Sequence, residues 1–267
     1  MKKILLPTDF SESARKACEY AINLYGNEPV EFVLVHSYII PASTSEMLIS
    51  ISDVLRQNSI ENLHAERNFL AALYPSKSKQ LEYVSLNGYL DTSLNQLLRE
   101  TDVHLIVMGT TGASGFKKMF MGSNAAKVLR NVNCPIITVP HTAQVKLPSH
   151  VSLALDDNFT PDNEVLEPLT ELVRITNANL HPVHIEVAEK ENNKVMANNL
   201  QVLGNEVENV PSASVMEGLN NYNEQNQVNL LTMIHHKRSF LQGLFDRGNS
   251  SEMAMLSQIP LMVLHDF

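Results

Sequence analysis

Along the first 140 residues, short continuous apolar runs alternate with stretches in which apolar side chains recur at helical spacing. KKILLPT (2–8) is a run that ends at Asp9 and predicts a buried strand. From Ser11, the positions Ala14, Ala17, Cys18, Ala21, Ile22 and Tyr25 predict a helix, with Ser11 as N-cap and Gly26 as its stop. VEFVLVHSY (30–38) predicts a second strand, residues 46–74 a long helix closed by Pro75, and LEYVSLN (81–87) a third strand. Gly88 precedes a short helix carrying Leu90, Leu94, Leu97 and Leu98. VHLIVMG (103–109) predicts a fourth strand, residues from about Ser123 to Asn131 a helix, and CPIITVP (134–140) a fifth strand. Almost unbroken apolar strands alternating with helices predict a parallel sheet covered on both faces.

HTAQVKLPSH (141–150) has no periodicity and carries a proline, so it reads as a linker between units at 1–143 and 150–267. The pattern then restarts. VSLALDD (151–157) predicts a strand, 161–176 a helix with Pro161 near its first turn, and NLHPVHIEV (179–187) a strand. Residues 190–204 read as a helix and PSASVMEG (211–218) as a strand, with NLLTMI (229–234) and IPLMVLH (259–265) closing the half. An ungapped shift of 125 residues sets Met108 on Met233, Ser114 on Ser239, Phe120 on Phe245, Asn124 on Asn249 and Pro135 on Pro260. The fold expected is α/β, with two tandem open parallel sheets of five strands and helices on both faces, the second unit degenerate.

Composition adds that the chain is globular, 44% hydrophobic and 18% charged, without tryptophan. The two cysteines, Cys18 and Cys134, are too few for a disulfide framework and suit a reducing compartment. The opening apolar run breaks at Pro7 and Asp9, so no secretory segment is expected, and no stretch approaches the length of a membrane span. A cytoplasmic protein is expected. Residues 1–149 carry 14 basic and 13 acidic side chains and residues 150–267 carry 6 and 16, which places nearly all of the net charge of −9 in the second half. Without a basic stripe interleaved with aromatics, nucleic acid is not an expected partner, and neither is a membrane.

The candidate chemistry lies between the fourth strand and the following helix. Gly109, Gly112, Gly122 and Ser123 form a G-x2-G-x9-G-S pattern, and neither of the commoner phosphate-loop patterns occurs anywhere in the chain. In an open parallel sheet, ligands settle outside the carboxyl ends of strands where strand order reverses. Asp9 and Gly109 end the first and fourth strands, so both face one crevice if those strands are neighbours. Gly109 and Gly112 would let the backbone approach a ligand, and Gly122, Ser123 and Asn124 start a helix whose first N–H groups lack internal partners. A phosphate chain fits that arrangement. Each residue also has a plainer reading. The glycines serve a tight turn, Asp9 caps the next helix, Ser123 and Asn124 are ordinary N-cap types, and Lys117 and Lys118 are solvated. His36 reads as a satisfied core residue, and the adjacent His235 and His236 as structural rather than metal-binding.

PTDFS (7–11), VMGTTG (107–112), GSNAAKVL (122–129) and CPIITVP (134–140) resemble the universal stress protein family in its usual order, here in a tandem two-domain form. The resemblance implies strand order 3-2-1-4-5 and, in many members, ATP in the crevice. Carried over by position, Asp9 holds the adenosine end and the backbone near Ser37 meets the base. Gly109, Gly112, Gly122, Ser123 and Asn124 cradle ribose and phosphates, and the Met108 backbone borders the crevice. The resemblance also implies pairing through the fifth strand, so Cys134–Pro140 and Ile259–His265 are expected to pair within the chain, with homodimers of the whole left open.

The second half departs from the motif. The 125-residue offset replaces Gly109 by Ile234, Gly112 by Lys237 and Gly122 by Arg247, and Gly243 and Gly248 do not restore the spacing. If the glycines are left-handed, side chains there cost about 1–2 kcal/mol each. The reading is one site, in the first half, for ATP or for AMP or ADP, with Mg2+ admissible alongside ATP. A nucleotide-binding regulator ranks first, an empty interaction scaffold second, and a slow ATP hydrolase third.

Overall fold

The computed structural model describes residues 1–41, 47–110, 121–156, 161–187, 201–236 and 259–266. Strand β1 (Lys2–Pro7) lies at the middle of the N-terminal half, between β2 (Val30–Tyr38) and β4 (Val103–Gly109), parallel to both. Beyond β2 lies β3 (Leu81–Asn87), and beyond β4 lies β5 (Ile136–Val139). The order β3-β2-β1-β4-β5 makes the β1/β4 junction the point where the chain changes direction across the sheet. A crevice is expected at the carboxyl ends of those two strands.

Helix α1 (Glu12–Tyr25) starts where its cap dictates, with Ser11 Oγ accepting the Ala14 N–H at 3.2 Å. Its six apolar positions named from spacing are all buried, and Ile22 alone contributes about 2 kcal/mol. Helices α2 (Met47–Leu73), α3 (Leu90–Glu100) and α4 (Ser123–Asn131) complete this half. Alternation along β1 sends Ile4 and Leu6 to the face covered by α1 and α2, and Leu5 to the face of α3 and α4.

In the C-terminal half come β6 (His150–Leu155), α5 (Asn163–Thr176), β7 (Asn179–Val187), β8 (Gln201–Val202), β9 (Asn205–Glu206) and β10 (Glu208–Ser212). Helix α6 (Val215–Gln225), β11 (Leu230–His236) and β12 (Leu261–Asp266) follow. Its strands take the order β10-β7-β6-β11-β12, and β12 pairs antiparallel with β5, Met262 opposite Ile137. The result is one ten-stranded sheet, parallel except at this seam. Both hydrophobic cores run across the seam, one gathering α1, α2 and α5, the other α3, α4 and α6. The 125-residue offset has a physical counterpart here. Ile106 N donates to Pro135 O at 2.9 Å, and Leu231 N donates to Pro260 O at 3.0 Å.

Two expectations for this half fail. Residues 201–206, placed partly in a helix over 190–204, form the β8–β9 hairpin, which turns at Leu203 (φ 51°) and Gly204 (φ 77°). Two successive left-handed residues define a tight hairpin turn, and Leu203–Gly204 supplies them. Residues 190–200 lie outside the described residues. PSASVMEG is not a strand throughout, because β10 ends at Ser212 and α6 begins at Val215. Ser214 Oγ accepts the Glu217 N–H at 3.2 Å, so Ser214–Glu217 is an S-x-x-E helix start. Polar contacts also join the halves away from the seam. Glu171 of α5 meets Lys2 at 2.9 Å and His104 at 2.5 Å, and Arg174 meets Glu28 at 3.0 Å. Among the described residues, no helix is long and apolar enough to cross a membrane.

Candidate functional site

The carboxyl ends of β1, β2 and β4 and the amino end of α4 enclose a cleft of about 340 Å3. Asp9, Ser37, Met108, Gly109, Gly122, Ser123 and Asn124, seven of the eight residues proposed from sequence, line it together with His36. The eighth, Gly112, lies outside the described residues, as do Lys117 and Lys118.

The loop from β1 to α1 is tied by its own side chains. Thr8 Oγ1 accepts the Phe10 N–H at 3.0 Å, and Asp9 Oδ1 accepts the Ser11 N–H at 3.2 Å. Phe10, between them, is left-handed, with φ 64°. Asp9 serves this loop, while Ser11 is the actual cap of α1, so the acid supports local structure and lines the cleft at once.

Across the cleft, Gly122 is the N-cap of α4, and among the described residues no side chain caps the helix. Gly122 N donates to Thr110 O at 2.6 Å, joining the two ends of the excursion between β4 and α4. The first intrahelical bond runs from Ala126 N to Gly122 O, so the N–H groups of the opening turn are directed outward, at the positive end of the helix dipole. Donors in this arrangement suit an anion.

The left-handed dihedrals supposed above are found at neither Gly109 nor Gly122. Gly122 has φ −65°, and Gly109 is not among the positive-φ residues. A Cβ on Gly109 would sit 2.7 Å from Ser13 Oγ and 3.0 Å from the Ser13 carbonyl carbon and oxygen. Close packing of β4 on α1 therefore leaves no room for a side chain at Gly109 unless Ser13 shifts. The left-handed penalty for Ile234 falls away with the premise.

His36, read from sequence as a satisfied core residue, proves to be both satisfied and part of the cleft wall. Its Nδ1 lies 2.7 Å from Ser59 Oγ, which lies 2.6 Å from Ser85 Oγ. Burial pushes its pKa down, against the opposing pull of the Asp9 charge. Ser59 comes from α2, 23 residues away, and no local pattern marks it.

At the matching strand ends of the C-terminal half the described residues differ from those of the first cleft. Leu5 pairs through β1 and β4 with Ile106, and Ser152 pairs with Leu231. Asp156 therefore stands four residues past its strand's reference point, as Asp9 does. Its Oδ2 lies 3.0 Å from His236 Nε2, and Ile234, 4% exposed, holds the place of Gly109. His235 turns the other way and meets the His265 ring edge-on at 5.4 Å. Both cysteines are buried, and burial pushes their thiols up, Cys134 to about 12, which removes nucleophilic chemistry from them.

Comparison with known proteins agrees with this architecture. Universal stress protein MJ0531 of Methanocaldococcus jannaschii is 28% identical over 144 residues, 52% of this chain and 81% of that protein. Universal stress protein YxiE of Bacillus subtilis is 29% identical over 145 residues, 51% and 97% respectively. A universal stress protein structure from Archaeoglobus fulgidus superimposes with a TM-score of 0.70 at 19% identity, covering 98% of this chain and 96% of the other, which shows a shared fold across both halves. The model of the universal stress protein family matches residues 1–140, and the chain belongs to that family.

Proposed function

We propose that the cleft of residues 1–143 binds an adenine nucleotide, ATP or its mono- or diphosphate, and that residues 150–267 form a partner domain without a nucleotide site. The observation that carries this reading is the glycine-headed start of α4 lining a cleft whose opposite wall holds Asp9, His36 and Ser37. The helix dipole contributes about 0.3–1 kcal/mol to binding a phosphate, and each charge-assisted hydrogen bond from the first-turn amides about 1.5–3 kcal/mol. Asp9 and the Ser37 backbone would meet the nucleoside end. In support of a single site, Asp156 contacts His236 at 3.0 Å and Ile234 stands where the first half has Gly109. The β5–β12 seam gives β5 a partner strand from the same chain, leaving homodimers to other surfaces. Occupancy of the cleft would change the surface offered to partner proteins during stress, in the cytoplasm.

A scaffold with an empty cleft is favoured by one observation: packing against Ser13 accounts for Gly109 without any ligand. A slow ATP hydrolase is third, because Asp9 is the one acid among the described residues lining the cleft and its Oδ1 already accepts the Ser11 N–H. Mg2+ would then enter with the triphosphate and not through a preformed acidic site.

Isothermal titration of the full chain with ATP decides among these. One equivalent per chain is expected, with Gly122→Val weakening binding at least tenfold. Two equivalent sites, or unchanged affinity in Gly122→Val, would overturn the one-site reading. No binding of any adenine nucleotide favours the scaffold.

A further inference from the structure

We infer that His36 is a specificity-determining residue of the cleft, presenting Nε2 to a ribose hydroxyl of the nucleotide, with Ser59 and Ser85 as positioning residues behind it. The inference rests on the nucleotide reading above and goes beyond it in naming what recognises the sugar.

The imidazole is held on two sides. Its Nδ1 corner is engaged by Ser59 Oγ at 2.7 Å, and Ser59 is 2% exposed with Ser85 Oγ 2.6 Å beyond it. One ring face carries Phe10, centroid to centroid 4.6 Å at 38°. Phe10 reaches it because its left-handed backbone is held by Thr8 Oγ1. His36 lines the cleft and its Nδ1 is engaged by Ser59, so Nε2 is the ring nitrogen left to meet a ligand there.

A neutral imidazole has one donor and one acceptor nitrogen, and a hydroxyl both donates and accepts. When Ser85 donates to Ser59 and Ser59 to Nδ1, Nε2 carries the proton and donates. When Nδ1–H donates to Ser59 and Ser59 to Ser85, Nε2 accepts. Rotation of two hydroxyls therefore switches Nε2 between roles without moving the ring. Groups on the adenine edge are fixed donors or acceptors, and phosphate oxygens only accept. Ribose hydroxyls do both, and they are the nucleotide groups that a reversible relay matches. Asp9, the neighbouring carboxylate on the same wall, accepts only and complements it. The phosphate end is left to α4 across the cleft.

The test is calorimetry on the full chain with ATP, 2′-deoxy-ATP and 3′-deoxy-ATP. The wild type is expected to bind one deoxy analogue about fivefold more weakly than ATP, the worth of one neutral hydrogen bond. His36→Phe, which keeps the ring and removes both nitrogens, should bring that ratio close to one. His36→Gln, which retains an amide near the Nε2 position, should preserve part of it. Ser59→Ala should lower the ratio with His36 intact, and it carries the test if His36→Phe fails to fold. Equal binding of all three nucleotides by the wild type, or an undiminished ratio in the His36→Phe and Ser59→Ala variants, would overturn the inference while leaving the nucleotide site standing. A wild type that binds no ATP overturns both.

Discussion

Arg15 of α1 grips Glu66 of α2 with two parallel hydrogen bonds, Nε to Oε1 at 2.8 Å and Nη2 to Oε2 at 2.7 Å. The carboxylate is 4% exposed and the guanidinium 35%, and the Glu66 contact pushes the Arg15 pKa up. The guanidinium also lies 4.3 Å over the Phe69 ring. Arg15→Ala would leave a buried carboxylate uncompensated. Losing a partner from a fully buried pair costs about 3–5 kcal/mol, and partial exposure of Arg15 reduces this to about 2 kcal/mol. Urea denaturation at neutral pH measures it, and a loss under about 0.5 kcal/mol would show that the pair is solvated in practice.

Gly109 faces Ser13 across the β4–α1 contact, so Gly109→Ala should destabilise the chain by about 1–3 kcal/mol through overpacking. Two of the three close atoms belong to the Ser13 backbone. Adding Ser13→Gly is therefore expected to recover only part of the loss. Complete recovery in thermal denaturation would mean that the hydroxyl alone is the obstacle.

His265 spans the seam, its Nε2 donating to the Leu129 carbonyl at 3.1 Å. Burial lowers its pKa from the ordinary 6.5 to about 4. The unfolded chain then takes up the proton first as pH falls. The stabilisation from the neutral form is complete above about pH 6.5 and declines towards pH 4, by up to about 3 kcal/mol. His265→Gln should show a smaller stability difference between pH 7 and pH 4.5 than the wild type, by about 2 kcal/mol. Equal pH dependence in urea titrations would remove His265 as the cause.

Ser214→Ala should cost about 1 kcal/mol by removing the cap of α6, and Ser214→Asp should restore most of it. Circular dichroism with urea denaturation reads both. An unaffected alanine variant would mean that packing of Met216, Leu219 and Tyr222 alone sets the helix start.

The Ser214 case shows how legibility varied along the chain. The first half read cleanly because its strands are almost unbroken apolar runs and α1 follows a clear apolar stripe behind Ser11. In the second half, the short strand β10 contains Pro211 and is only partly covered, so its apolar pattern is thin and does not separate it from the S-x-x-E start of α6. The hairpin at Leu203–Gly204 is likewise hidden in the sequence, since a leucine at positive φ is a rare device that propensity does not anticipate.

By itself the sequence determined which stretches of the first half become strands and helices, and which residues close β1, β2 and β4 and open α4. Those signals act over a few residues, through side-chain periodicity and caps. Only the tertiary structure decided that β5 lies antiparallel to β12 and that one ten-stranded sheet results. It alone revealed that Gly109 answers to Ser13, that Ser59 orients His36, and that His236 reaches Asp156. These contacts join residues 23 to more than 120 positions apart, and they form only when burial on both sheet faces outweighs the entropy of closing the intervening chain.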